Sequence, residues 1–252
     1  MEPRVNILGV QVSVLTIRRA VETVEHWIAA GERHYVCVTG VHGVMESRRD
    51  PALRAIHNAA GLVTADGMPL VWLSRRRGHP EAERVYGPDL MLALCERAAA
   101  RGYRHYLMGG APGTPARLAE RLVARFPGLQ IVGTHSPPFR AMTPDEDAEL
   151  VARINAARPD IVWVGLSTPK QERWMAAHRP ALSASALIGV GAAFDFLSGL
   201  KRQAPVWMRR SGLEWLFRMA TEPRRLARRY LVNNTAFLGA LLLETLGLRR
   251  YE

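Results

Sequence analysis

Apolar residues in this chain fall into short runs that end in glycine, aspartate or threonine, and between the runs they recur at helical spacing. Tyr35–Thr39, Leu62–Ala65, His105–Met108, Leu129–Gly133, Ile161–Leu166 and Leu187–Val190 read as strands. The intervening segments read as helices. Strands alternating with helices predict an α/β fold, a mostly parallel sheet with helices on both faces. An earlier apolar run, Val5 to Leu15, is interrupted by Asn6, Gln11 and Ser13 and has neither a basic lead nor a small-residue cleavage site. It is expected to form a first strand or hairpin, not a signal peptide.

Several helix boundaries are written in the sequence. Asp50 before Pro51 opens one helix, and Thr143, Pro144 and Glu146 supply an N-cap, a first-turn proline and a capping-box acid. Gly31, Gly102 and Gly128 stand where preceding helices should stop. Beyond about Gly199 the strands cease, so residues 1–199 read as an α/β core and residues 200–252 as a helical C-terminal appendage. In that appendage Trp207, Leu213, Trp215, Leu216 and Met219 offer an apolar face, followed by arginine-rich turns and the apolar stretch Leu231 to Leu248. Asn233, Asn234, Thr235 and Glu244 break that stretch, so it is not expected to span a bilayer. Its composition suits a membrane surface; the lesser alternative is a helical hairpin packed on the sheet with solvated arginines.

Composition adds two constraints. With 252 residues, 48% of them hydrophobic, the chain can bury a substantial core. Its net charge of +11 is concentrated between Lys201 and Arg229, where nine basic residues face only Glu214 and Glu222. Such a cluster calls for an anionic partner: nucleic acid, lipid headgroups or a phosphorylated substrate. Cys37 and Cys95 have no zinc spacing and read as small core residues in a reducing compartment.

The strand ends carry the candidate chemistry, because in open α/β sheets ligands gather at the carboxyl edge. Asp66, after the run Leu62–Ala65, can take a proton from a substrate hydroxyl, although Asp-Gly is also a common turn pair. Gly109, Gly110 and Gly113 lead from a strand into a helix, where bare backbone and the helix dipole suit a phosphate. This is neither a Walker motif nor a dinucleotide fingerprint. Gly189 and Gly191 make a partial GxG, but Phe194 stands where the third glycine belongs, which argues against a nicotinamide enzyme. Asp195, between Phe194 and Phe196, needs a specific partner, either a substrate hydroxyl or a backbone amide. Lys170, Gln171 and Glu172 follow a proline at a strand-to-helix turn; Gln171 can donate and accept, as a sugar or a uracil edge requires, and an exposed helix start would look the same. The histidines show no metal-ligand spacing, so no metal is expected. No nucleic-acid-binding motif accompanies the arginines, so nucleic acid is not the expected partner.

Taken in order, Asp66-Gly67, ERVYGPDL (Glu83–Leu90), LMGGAPG (Leu107–Gly113), VGLSTPKQE (Val164–Glu172), GVGAAFDFLSG (Gly189–Gly199) and the basic segment Lys201–Tyr230 resemble the bacterial WecG/TagA/CpsF glycosyltransferases, glycosyltransferase family 26. The resemblance implies a Rossmann-like core and an inverting transfer of a hexosamine, typically N-acetylmannosamine or its uronic acid, from a UDP-sugar donor. The implied acceptor is a polyprenyl-diphosphate-linked N-acetylglucosamine, and the products are teichoic acids, common antigen or exopolysaccharide. It implies no cofactor, metal independence, and a cytoplasmic protein held peripherally on an anionic membrane surface; it leaves a homo-oligomer open. By position, Asp66 matches the family's general base and Thr39 its neighbouring threonine. Arg84, Gln171 and Asp195 match pocket residues, alongside the substrate-binding candidates Gly109, Gly110, Gly113, Lys170 and Glu172. Arg202, Arg218, Arg224, Arg225, Arg228 and Arg229 match the arginines that approach diphosphate and membrane. Two residues after the threonine, where the family commonly has asparagine, this chain has Val41 followed by His42.

Overall fold

The computed structural model describes residues 2–251. The chain opens with an antiparallel hairpin, β1 (Arg4–Ile7) and β2 (Val10–Ser13), turned at Leu8 and Gly9. There follow α1 (Ile17–Ala30), β3 (His34–Thr39), α2 (Val41–Arg49), α3 (Pro51–Ala59), β4 (Leu62–Ala65), α4 (Met68–Arg76) and α5 (Gly87–Arg101). Next come β5 (Arg104–Gly109), α6 (Thr114–Arg125), β6 (Gln130–His135), α7 (Pro144–Ala156), β7 (Ile161–Gly165), α8 (Lys170–His178), β8 (Ala186–Gly189) and α9 (Ala193–Leu197). The C-terminal segment is helical throughout, with α10 (Val206–Arg210), α11 (Glu214–Thr221) and α12 (Pro223–Thr245).

All six strands expected in the α/β core are present, in a parallel sheet of order β4-β3-β8-β7-β5-β6. Parallel neighbours need crossover connections, and helices supply them. The expected caps form: Asp50 accepts from the N–H groups of Ala52 and Leu53, and Thr143 and Glu146 close a full capping box on α7. Gly31, Gly102 and Gly128 take positive φ angles of 66°, 76° and 92° just past α1, α5 and α6, respectively, as helix-stopping residues do.

The chain divides into two compact units. One comprises Met1–Thr16, Val38–Tyr86 and Gln203–Glu252; the other comprises Ile17–Cys37 and Gly87–Arg202. In the first, the hairpin packs on β4 and α3, and α12 lies along α2 and against α11. Ile7, Val10, Val44, Leu53, Val63 and Leu70 are sealed in its core. In the second, α1 packs on α5, α6 on β5, β6 and α9, and α8 on β7 and β8. Tyr106, Trp163, Ile188 and Phe194 fill that core. Both cysteines are buried and free, as the sequence leads one to expect. Among the described residues no helix is long and apolar enough to cross a membrane.

Candidate active site

In the first unit, β4 delivers Asp66 to a turn shared with the end of β3. The Asp66 N–H donates to the Thr39 carbonyl at 2.9 Å, and the Val85 N–H donates to Ala65 at 3.0 Å, so three segments of chain are tied at this point. A side chain at Gly40 would lie 3.9 Å from the Asp66 Oδ2, which puts the carboxylate over the start of α2. Asp66 is half-buried. Gly43, one turn into α2, is demanded by Thr39: a Cβ there would come within 2.8 Å of the threonine methyl.

The Thr39 hydroxyl has a partner the sequence did not point to. His57 on α3, wholly buried, brings Nε2 to 3.0 Å from Thr39 Oγ1. Its Nδ1 lies 3.1 Å from the Leu53 carbonyl and 3.0 Å from Ser47 Oγ. A carbonyl only accepts, so the ring proton sits on Nδ1 and Nε2 is left as an acceptor. In the neutral ring Nε2 then accepts the Thr39 proton, and Thr39 is itself buried.

Arg84 ties the Asp66 turn to the C-terminal helices. Its Nε donates to the Asp66 carbonyl, Nη1 to the Arg209 carbonyl at 3.1 Å, and Nη2 to Glu214 Oε2 at 2.6 Å. The Tyr86 hydroxyl donates to the other Glu214 oxygen at 2.9 Å, and the Arg84 guanidinium stacks 4.0 Å from the centre of the Tyr86 ring. Burial opposes charge on Arg84, but Asp66 and Glu214, with Tyr86, outweigh it and hold the guanidinium above its usual pKa. The Tyr86 phenol is pushed well up by burial and by the same two carboxylates.

Arg218 on α11 belongs to this constellation: burial works against its charge, yet Tyr230, Glu214, Tyr86 and Asp66 raise its pKa. Arg229 is also part-buried, and burial together with Arg225 and Arg218 lowers its pKa. Arg224, Arg225 and Arg228 are exposed along the first turns of α12, with Arg225 paired to Glu222 at 2.6 Å.

The second unit holds the remaining candidates. Gly109, φ 135°, is required by close approach, since a Cβ would stand 2.6 Å from the Gly165 backbone. The Gly110 N–H is spent on the Gly165 carbonyl at 3.0 Å, so it is not presented to a ligand. Gly113, left-handed at the N-cap of α6, has open space around it and is exposed, as are Ala111 and Pro112 before it. Lys170 is exposed. Gln171 and Glu172 are buried, unlike an ordinary exposed helix start. Gln171 Nε2 donates to Glu172 Oε1 at 3.0 Å, and the Thr168 hydroxyl donates to the same oxygen at 2.8 Å. That fixes the amide orientation and leaves Gln171 Oε1, shielded and without a hydrogen bond, as an acceptor beside Gly191. Asp195 pairs with Lys201 at 2.9 Å, a partner the sequence did not point to. Arg202 is exposed. Among the described residues no three His, Cys, Asp or Glu side chains gather in a metal-binding group.

Thr39, Asp66, Arg84 and Arg218 are thus assembled in one unit, and Gln171 and Glu172 in the other. His57, Tyr86, Glu214 and Tyr230 are the additions that sequence did not single out. Only Glu214 carried a hint, as one of two acids within the basic segment.

The Glycosyl transferase WecG/TagA/CpsF family matches the chain over residues 5–251. The chain is also 31% identical over 180 residues to the N-acetylglucosaminyldiphosphoundecaprenol N-acetyl-beta-D-mannosaminyltransferase of Bacillus spizizenii, covering 71% of this chain and 68% of that protein.

Proposed function

The chain belongs to the WecG/TagA/CpsF family of glycosyl transferases, and from that premise we propose that it transfers N-acetylmannosamine from a UDP-sugar to a polyprenyl-diphosphate-linked N-acetylglucosamine. The observation that carries this reading is the coincidence of the family match, residues 5–251, with a half-buried carboxylate at a strand end flanked by charged guanidiniums. The Bacillus relative is named for a β-mannosaminyl group and for an undecaprenyl diphosphate acceptor. Forming a β bond from an α-linked UDP-sugar inverts the anomeric centre in a single displacement.

In that displacement Asp66 takes the proton from the acceptor hydroxyl as its oxygen bonds to the anomeric carbon. The bond from that carbon to the diphosphate oxygen breaks, and UDP leaves with the electron pair. The Thr39 carbonyl accepts from the Asp66 N–H, so the contact between Thr39 and His57 steadies the turn that carries Asp66. Negative charge growing on the leaving diphosphate calls for fixed positive charge, and Arg218 with the arginines of α12 supports neutralisation by guanidinium instead of metal. Transfer is then expected to persist in excess EDTA.

The α12 surface supports peripheral association with a membrane. Leu231, Leu238 and Leu242 recur on one face and are exposed, while Leu226, Phe237 and Ala240 face inward, with Arg224, Arg225 and Arg228 at the basic end. Such a position would bring a lipid-linked acceptor to the enzyme.

A second donor is favoured by one residue. Val41, the first residue of α2, follows Gly40 beside Asp66, and an apolar side chain there cannot donate to a donor-sugar substituent as the family's common asparagine would. The deciding experiment measures transfer from radiolabelled UDP-N-acetylmannosamine, and from a panel of other UDP-hexosamines, to a short-chain polyprenyl-diphosphate N-acetylglucosamine. Native protein should be active, with Asp66→Asn reduced by roughly 10²- to 10⁴-fold, the usual contribution of a positioned base. Activity only with another UDP-hexosamine selects the second donor, and inactivity across the panel refutes both.

A further inference from the structure

At the far end of α2 from Asp66, the first unit contains a cavity of about 330 Å³ lined by Met45, Arg48, Arg49, Arg54, Arg249 and Tyr251, with Ala236 of α12 at its wall. Thr39 precedes the first residue of α2, and at 1.5 Å per residue Arg48 lies about 10 Å further along the helix axis. The cavity is therefore separate from the carboxylate site.

Four guanidiniums gather here, and among the described residues one of them has a carboxylate partner. Arg49 pairs with Glu46 at 2.8 Å. Among the described residues no carboxylate pairs with Arg48, Arg54 or Arg249. The nearby Asp50 carboxylate is engaged by the N–H groups of Ala52 and Leu53 at the start of α3. Arg48 and Arg249 instead sit against the Tyr251 ring, 5.1 and 5.4 Å from its centre. Tyr251 is pinned by its backbone, whose carbonyl accepts from Asn6 Nδ2 at 2.8 Å, while its hydroxyl is shielded and makes no hydrogen bond. Like charges brought together at this spacing repel, and an unmet buried hydroxyl costs free energy. An anion with several acceptor oxygens answers both.

We propose that this cavity is a phosphate-binding site, taking the phosphate of a glycerophosphate-like group between Arg48, Arg54 and Arg249, with the Tyr251 hydroxyl as a further donor. Guanidiniums present paired N–H groups that match phosphate oxygens. The volume is at the small end of ligand sites, enough for a phosphate with a short polyol and too little for a nucleotide sugar. Such a phosphate comes either from a lipid headgroup or from a soluble metabolite. The exposed Leu246 and Leu248, which lead into Arg249, suit the first source.

The test uses the full chain in chloride buffer. Calorimetric titration with inorganic phosphate and with glycerol 3-phosphate forms one arm, and sedimentation with phosphatidylcholine vesicles, with or without phosphatidylglycerol, the other. Arg48→Ala/Arg249→Ala is compared with Arg250→Ala, which removes an equal kind of charge outside the cavity. Each lost guanidinium should weaken binding about tenfold, as charged hydrogen bonds do, with Arg250→Ala near native. Dependence seen only with phosphatidylglycerol vesicles identifies a lipid headgroup, and dependence seen with glycerol 3-phosphate identifies a soluble ligand. If the double variant melts early, Arg54→Gln serves in its place. Absence of binding in both arms, or equal loss on Arg250→Ala, overturns the site.

Discussion

At the residue scale the decisive contact is the one between Thr39 and His57, because it steadies the strand end that holds the Asp66 turn. A neutral imidazole whose Nδ1 is held by the Leu53 carbonyl can only accept at Nε2, so the Thr39 proton points inward. His57→Leu should release that hydroxyl, and Thr39→Val should remove it. Each is expected to lower kcat/KM about tenfold, the worth of one oriented hydrogen bond. Because the two act through one contact, the double variant should be no worse than the poorer single one. Additive losses would show that His57 serves some other purpose. Asp66 stood out in the sequence because an apolar run ends there, and Thr39 entered through the family resemblance alone; His57 did neither, since it lies 18 residues from Thr39 inside an unremarkable helical pattern.

At the element scale the strands and caps were readable because each is written locally: a short continuous apolar run, a glycine where a helix stops, a Thr-x-x-Glu box. The tie between the loop after α4 and the start of α11 was not, since Arg84 and Glu214 are 130 positions apart. Their side chains are only 15% and 11% exposed, so removing one partner strands a mostly buried charge. Glu214→Ala should cost about 3 kcal/mol in chemical denaturation and should reduce turnover by loosening Arg84 from the Asp66 carbonyl. Glu214→Gln, which keeps the shape and an acceptor oxygen, should recover part of both. The exposed face of α12 gives a separate expectation. Leu238→Glu/Leu242→Glu should abolish sedimentation with vesicles and lower activity on a long-chain acceptor, while activity on a short soluble acceptor stays near native. Equal loss on both acceptors would mean that this face supports the fold or the chemistry directly.

At the scale of the whole molecule, the grouping of residues 38–86 with the C-terminal segment has no compositional mark, because three separated stretches make up one unit. Burial likewise emerges only from the folded chain, and one buried group links it to pH. His105 is fully buried, with Nδ1 accepting from Trp163 Nε1 at 3.0 Å and lying near the Cys95 thiol, itself pushed up to about 12 by burial. Desolvation lowers the His105 pKa from 6.5 to about 3. Above pH 6.5 the imidazole is neutral folded or unfolded and contributes no pH dependence. Between there and pH 3 the unfolded chain binds a proton that the folded chain refuses, so stability falls as pH falls, by about 1.4 kcal/mol per unit from this group alone. Denaturation at a series of pH values from 7 to 4 reads that slope directly. His105→Leu should be less stable at neutral pH, having lost the Trp163 bond, yet show a slope shallower by close to one proton. An unchanged slope would mean that His105 is not the group refusing the proton.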